Sequence, residues 1–96
     1  MNNQRRKEIA KLIERIETIV DDAKTKLEEV KDDIDNLRDE EECAFDSLPE
    51  GIQESERGDA MQEAIENLSN ACDTVEELID NIDTDDLTSY LNEAMA

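Results

Sequence analysis

The sequence predicts an all-α protein in which two long helices pack as an antiparallel, coiled-coil-like hairpin, followed by a short third helix. Three features predict this fold. Apolar residues recur in alternating steps of four and three over residues 9–48, and they do so again over residues 61–82. The single proline and both glycines fall between these stretches, at Pro49, Gly51 and Gly58. Residues 83–86 then interrupt the second pattern. We expect one helical domain covering residues 1–96.

The first helix is predicted over about residues 4–46, with Asn2 or Asn3 as its N-cap. Its steps of four and three continue for more than five heptads, and Glu41 is the one polar member. Such a narrow stripe is typical of a helix that packs against one other helix. The predicted contact positions are Ile9, Ile13, Ile16, Val20, Ala23, Leu27, Val30, Ile34, Leu37, Glu41, Ala44 and Leu48.

A turn is predicted over residues 47–55. Ser47 to Glu50 matches a capping box with Pro49 near the first helical position, so a short helical turn should follow before Gly51. Ser55 is a candidate N-cap for the next helix, and Gly58 reads as a tolerated weak point in its first turn. The long helix should therefore end near Asp46.

The second helix is predicted over about residues 56–82 and a short third helix over about residues 85–95. Contact positions of the second helix are Met61, Ile65, Leu68, Cys72, Val75, Ile79 and Ile82. Asp83 or Thr84 can cap the third helix, although one continuous helix with a stutter is the alternative. The third helix is expected to pack where the first two broaden, at Leu12, Ile19 and Leu78. The sequence leaves open whether two copies associate as a homodimer and so form a helical bundle.

Charge is the strongest compositional feature. The chain has 10 Lys and Arg residues against 29 Asp and Glu residues, a net charge of −19. Residues 1–38 contribute nine basic and ten acidic side chains, whereas residues 39–96 contribute one and 19, so the second part carries −18. Repulsion among these charges should make the fold more stable when salt is added. The cations Arg5, Arg6 and Lys7 are expected to lie beside an acidic cluster, namely Asp80, Asp83, Asp85 and Asp86.

The chain lacks the residue sets that most enzymes and metal sites use. It has no histidine, no glycine-rich phosphate loop and no CxxC pair. Residues 81–92 resemble a calcium loop only in part, because Asp86 replaces its glycine and Asn92 its final glutamate. We therefore expect no enzyme activity, no metal site and no cofactor. Cys43 and Cys72 should be too far apart for an intramolecular disulfide.

The acidic surface is the main candidate for function. Rows of carboxylates on a straight helical rod resemble, more sparsely, the phosphates of duplex DNA, which carries about one charge per 1.7 Å of axis. We therefore expect a protein partner that normally binds nucleic acid, with no direct binding to nucleic acid or membrane. The candidate residues are Asp46, Glu50, Glu54, Glu56, Asp59, Glu63, Glu66, Asp73, Glu76, Glu77, Asp80 and Asp83.

Two other interpretations of the surface stay open. The acids could serve only to keep a small helical protein in solution. Alternatively, the chain could be a structural or adaptor coiled coil whose apolar residues self-associate or bind a partner helix. Leu12, Ile19, Phe45 and Tyr90 are the candidates for that apolar interface.

Three short segments resemble small acidic helical proteins encoded by phages and prophages. These segments are residues 3–9 (NQRRKEI), residues 48–53 (LPEGIQ) and residues 55–65, which include SERGDA and EAI. The resemblance brings no catalytic residues with it. It implies an accessory protein that inhibits a host or defence protein, and several unrelated phage proteins do so as acidic DNA mimics. Because the sequence shows no 18-residue apolar run and no secretory leader, we expect it in the cytoplasm, here that of the host cell.

Overall fold

A computed structural model describes residues 1–96 and contains four helices and no strand. They are α1 (Asn3–Asp46), α2 (Glu50–Gln53), α3 (Glu56–Asn81) and α4 (Asp85–Met95). The predicted all-α class is therefore confirmed. The molecule measures 75 × 17 × 12 Å. Its length is more than four times either of the other two dimensions, so the protein is a narrow rod.

Helix α1 begins and ends for local reasons. The side chain of Asn2 accepts a hydrogen bond from the backbone N–H of Arg5, which satisfies a free amide of the first turn. Pro49 then prevents continuation because it lacks an N–H and restricts the residue before it. The predicted capping box is wrong. Ser47 donates from both its backbone N–H and its Oγ to the Cys43 carbonyl, so it closes the end of α1 instead of starting α2.

The segment between α1 and α3 is a packed turn. The Gln53 amide donates to the Phe45 carbonyl at 3.1 Å, which ties the end of α2 back to α1. Gly58 is one of only two buried residues, and a Cβ placed on it would lie 1.9 Å from the Gln53 carbonyl oxygen. The interpretation of Gly58 as a weak point is therefore wrong. Its missing side chain allows the first turn of α3 to approach the backbone of α2.

Helices α1 and α3 lie side by side and run in opposite directions. Asp35 contacts Cys72, while Lys31, one turn earlier in α1, contacts Glu76, one turn later in α3. Cys72 is the one buried hydrophobic residue, at 3% exposure. The other apolar residues at this contact are half-buried because neither face of the two-helix layer is covered.

The contact positions of α1 change register after Leu27. Val30 and Leu37 were predicted to face the second helix, but they are 47% and 54% exposed, and the predicted contact residue Ala44 is exposed as well. The half-buried positions that replace these three are Lys31, Arg38 and Phe45. A straight α-helix drifts by about 20° per heptad relative to a strict heptad pattern. The contact positions therefore advance by four residues after Leu27, to Lys31, where the heptad pattern predicts a step of three, and this longer step corrects the drift.

Helix α4 follows α3 along α1 and does not stack on the two-helix layer. It contacts α1 but barely contacts α3, and the Arg6 side chain donates to the Met95 carbonyl. The expected packing of the third helix on the broadened parts of the first two is therefore wrong. Leu12, Ile19 and Leu78, which α4 was expected to cover, are 43%, 62% and 51% exposed.

The cations near the N-terminus also lack the expected acidic neighbours. Arg5, Arg6 and Lys7 make no ion pair, since every salt bridge in the structure involves Lys26, Lys31 or Arg38. The acidic cluster at residues 80–86 lies further along α1, because Glu76 is level with Lys31 and Met95 is level with Arg6.

Candidate interaction surfaces

The structure places the predicted acidic residues on the exposed surface of the rod. All twelve are exposed, and eight of them belong to α3. Asp46 ends α1, Glu50 begins α2 and Glu54 follows it, and Asp83 lies in the link before α4. Only Glu76 forms an ion pair, with Lys31 at 3.5 Å, while Asp83 accepts a hydrogen bond from the backbone N–H of Asp85. Ten carboxylates are thus free of protein partners.

Five of these carboxylates form one row on α3, which we call the acidic ridge. At 3.6 residues per turn their positions fall within a sector of about 80° around the helix. The ridge lies opposite Cys72, which faces α1, and it extends over about 27 Å at a rise of 1.5 Å per residue. It consists of Asp59, Glu63, Glu66, Asp73 and Glu77.

A second surface is apolar and lies on α1; we call it the apolar stripe. It consists of Leu12, Ile19, Val30 and Leu37, which are 43%, 62%, 47% and 54% exposed. Their spacings of seven, eleven and seven residues place them within about 20° of one another on a straight helix. The stripe is rotated by about 70° from the positions that contact α3.

The predicted apolar interface residues do not form one surface. Leu12 and Ile19 lie in the apolar stripe, whereas Phe45 is half-buried near Gln62 and Ile65 of α3. Tyr90 is 72% exposed on α4. Sequence reasoning missed Val30 and Leu37 as surface residues because it assigned them to the α3 contact. Val30 and Leu37 are seven residues apart, as are Leu12 and Ile19, and the two pairs lie on the same side of a straight helix. This shared side was the signal that could have identified them.

A small polar cluster occupies the middle of the α1–α3 contact. The Cys72 thiol donates to Asp35 Oδ1 at 3.1 Å, and Arg38 Nη1 lies 3.3 Å from the same oxygen. Burial, followed by the hydrogen bond to Asp35 and its negative charge, raises the pKa of the Cys72 thiol. The cluster therefore favours the protonated form of Cys72, which is the less reactive one. Cys43, the other free cysteine, is exposed.

None of the four helices combines the length and the apolar character needed to span a membrane. No protein-family model, curated protein or solved structure matches the chain. The acidic ridge and the apolar stripe therefore carry the functional argument by themselves.

Proposed function

We propose that this protein binds the nucleic-acid-binding surface of another protein through its acidic ridge, and so inhibits it as a mimic of DNA. The observation that carries the proposal is the row of five exposed carboxylates on α3, none of which has a cation beside it in the chain. Unpaired surface carboxylates can be neutralised by a basic partner without first breaking an internal ion pair.

The shape of the rod supports the same proposal. A long, narrow body 75 Å in length can lie along a basic groove that accommodates a nucleic-acid backbone. Lysine and arginine side chains in such a groove would exchange their counterions for the ridge, as they do for phosphates. The resemblance to acidic phage proteins suggests a host or defence nucleic-acid-binding protein as the target.

The proposal is tested by capture from a bacterial lysate on the immobilised protein, with salt and duplex DNA as competitors. We expect a nucleic-acid-binding protein to be retained and then released by either competitor. A variant with Glu63, Glu66, Asp73 and Glu77 replaced by Lys should retain its helix content and lose the target. A partner that this variant still binds at moderate salt would contradict the proposal.

A matched control variant separates the ridge from net charge. In this control, four exposed acids on the side of α1 opposite the apolar stripe are replaced by Lys. The total charge changes as much as in the ridge variant, and the ridge stays intact. These four acids are Glu14, Glu17, Asp21 and Glu28, and none of them forms an ion pair. We expect this control to retain most of its binding. Equal losses in both variants would show that charge alone, without the ridge, determines binding.

A second candidate function is that of an adaptor, and the exposed apolar stripe favours it. Four large aliphatic side chains in line on one helix provide an apolar surface on which a partner helix can pack. Binding through this stripe would be insensitive to salt and to competing DNA. In the capture experiment, a partner that resists both competitors and is lost when Ile19 is replaced by Glu would support the adaptor function.

A further inference from the structure

The isolated chain exposes more surface than a folded protein of its size. Its accessible area is 7148 Å², whereas a globular monomer of 10.9 kDa is expected to expose about 5,600 Å². The excess is about 1,500 Å². A stable protein–protein interface buries about 800 Å² on each partner. The excess is therefore larger than the area that one partner contributes to a stable interface.

The apolar stripe has the symmetry of a surface that pairs with itself. Leu12 and Leu37 are equally distant from a point between residues 24 and 25, and Ile19 and Val30 are equally distant from the same point. If two copies of α1 lie antiparallel about that point, Leu12 faces Leu37 of the second copy and Ile19 faces Val30. A twofold-symmetric interface requires this kind of reciprocal pairing.

Other apolar side chains lie on the same face of the two-helix layer. Leu78 of α3 is 51% exposed and is rotated from the α1 contact in the same sense as the stripe. Because α1 and α3 run in opposite directions, residues that are rotated from the α1–α3 contact in the same sense lie on the same face of the two-helix layer. Leu87 of α4, at 48% exposure, occupies the corresponding position on α4. Two rods can therefore stack by this face.

Charge favours the antiparallel over the parallel alignment of two copies. Residues 5–15 contain five cations, none of which forms an ion pair within the chain, and residues 39–42 are four consecutive acids. The antiparallel alignment brings the first segment of each copy level with the second segment of the other. A parallel alignment would instead place the two acidic segments side by side, where they would repel each other.

From these observations we propose that the protein forms an antiparallel homodimer, a four-helix bundle in which the apolar stripes of the two copies pack on each other about residues 24 and 25. The acidic ridge points away from α1 and is separate from this face, so the dimer leaves two ridges exposed. The proposal does not depend on the proposed function, because the ridge and the stripe are altered by different substitutions.

The alignment is tested by pulsed dipolar spectroscopy with a spin label on Cys43 in a Cys72→Ser variant. Cys43 is exposed and lies about 130° from the stripe, so the label does not interfere with the interface. In the antiparallel dimer the two labels are 37 residues apart along the rod, about 55 Å at 1.5 Å per residue. A parallel dimer would bring them within about 30 Å, since packed helices lie 8–10 Å apart.

The interface is tested by sedimentation velocity on Ile19→Glu, with Thr25→Glu as the matched control. Thr25 is exposed on the opposite side of α1, at a level between Ile19 and Val30. Because each substitution occurs twice in a symmetric dimer, we expect Ile19→Glu to raise the dissociation constant at least about 100-fold, and Thr25→Glu to change it little. Circular dichroism reports whether each variant retains its helices. If Ile19→Glu loses helix content, the same measurement is made on Val30→Glu.

The expected result is a dimer with a label distance near 55 Å that Ile19→Glu dissociates. A monomer at millimolar concentration, a larger assembly or a short label distance would overturn the proposal. So would equal effects of the two glutamate substitutions. A dimer that captures no nucleic-acid-binding protein would refute the proposed function and leave this inference intact.

Discussion

The two glycines between α1 and α3 provide a sharp test of the packed turn, because only one of them has a close neighbour. A Cβ at Gly58 would lie 1.9 Å from the carbonyl oxygen and 2.8 Å from the Cα of Gln53. Side-chain Cβ atoms essentially never approach other atoms within 3.0 Å, so Gly58→Ala requires a backbone shift of about 1.1 Å. At Gly51 nothing lies within 4 Å of the added carbon.

The expected free energies follow from these distances. Overpacking of this kind costs about 1–3 kcal/mol, and the better helix propensity of alanine returns up to about 1 kcal/mol. Gly58→Ala should therefore destabilise the fold by about 1–2 kcal/mol. Gly51→Ala should stabilise it by about 0.4–1 kcal/mol, since it restricts the unfolded chain without a clash. In a domain of this size, each kcal/mol shifts Tm by about 4–8 °C.

Thermal unfolding followed by circular dichroism measures both effects, at one protein concentration and ionic strength. Hydrogen exchange should show faster exchange in Gly58→Ala over residues 49–55, where α2 is displaced, and unchanged exchange in the middle of α1. Equal melting temperatures for the two variants, or a more stable Gly58→Ala, would refute the close approach of α2 and α3. Gly51→Ala is the internal control, because it makes the same chemical change in the same segment.

Three further predictions concern the polar cluster and the net charge. Iodoacetamide should modify Cys43 rapidly at pH 8 and Cys72 only after unfolding, as read by intact-protein mass spectrometry, because Cys72 is buried with a raised pKa. A raised thiol pKa in the folded state contributes to the free energy of unfolding below the ordinary thiol pKa of about 9. This contribution should disappear as the pH rises above 9. The free energy of unfolding should therefore fall less over this pH range in Cys72→Ser. Tm should increase between low and moderate NaCl, because the net charge of −19 has few internal ion pairs to offset it. A flat or falling Tm would contradict charge repulsion as the limit on stability.

The sequence by itself predicted the limits of α1 and the start of α3, because those limits are local, but it left open whether α3 and α4 form one helix and assigned Ser47 wrongly to the start of α2. Asn2 caps α1, Pro49 stops it, and the interruption after Ile82 separates α3 from α4. Each signal acts within a few residues along the chain, so it can be read without knowing what the helix packs against. The charge asymmetry, and hence the exposure of the acidic residues, could also be predicted, since carboxylates without partners stay in water.

Only the tertiary structure decided which side of each helix is covered. After Leu27, two series of residues each continue a heptad pattern. The first contains Val30 and Leu37, and the second contains Lys31 and Arg38. Because α1 continues for 44 residues, its contact side drifts toward the second series. The stems of Lys31 and Arg38 can cover that contact while their charges reach Glu76 and Asp35. The apolar stripe is exposed as a result.

The same reason explains Gly58 and the position of α4. Gly58 lies only five residues after Gln53, but the two belong to different helices, so their close approach depends on how α2 packs against α3 and not on a local pattern. Likewise, an amphipathic α4 could pack on the face of the layer or continue along α1, and its own sequence fits both. Packing between helices, which no local pattern contains, made the choice and left the apolar stripe uncovered.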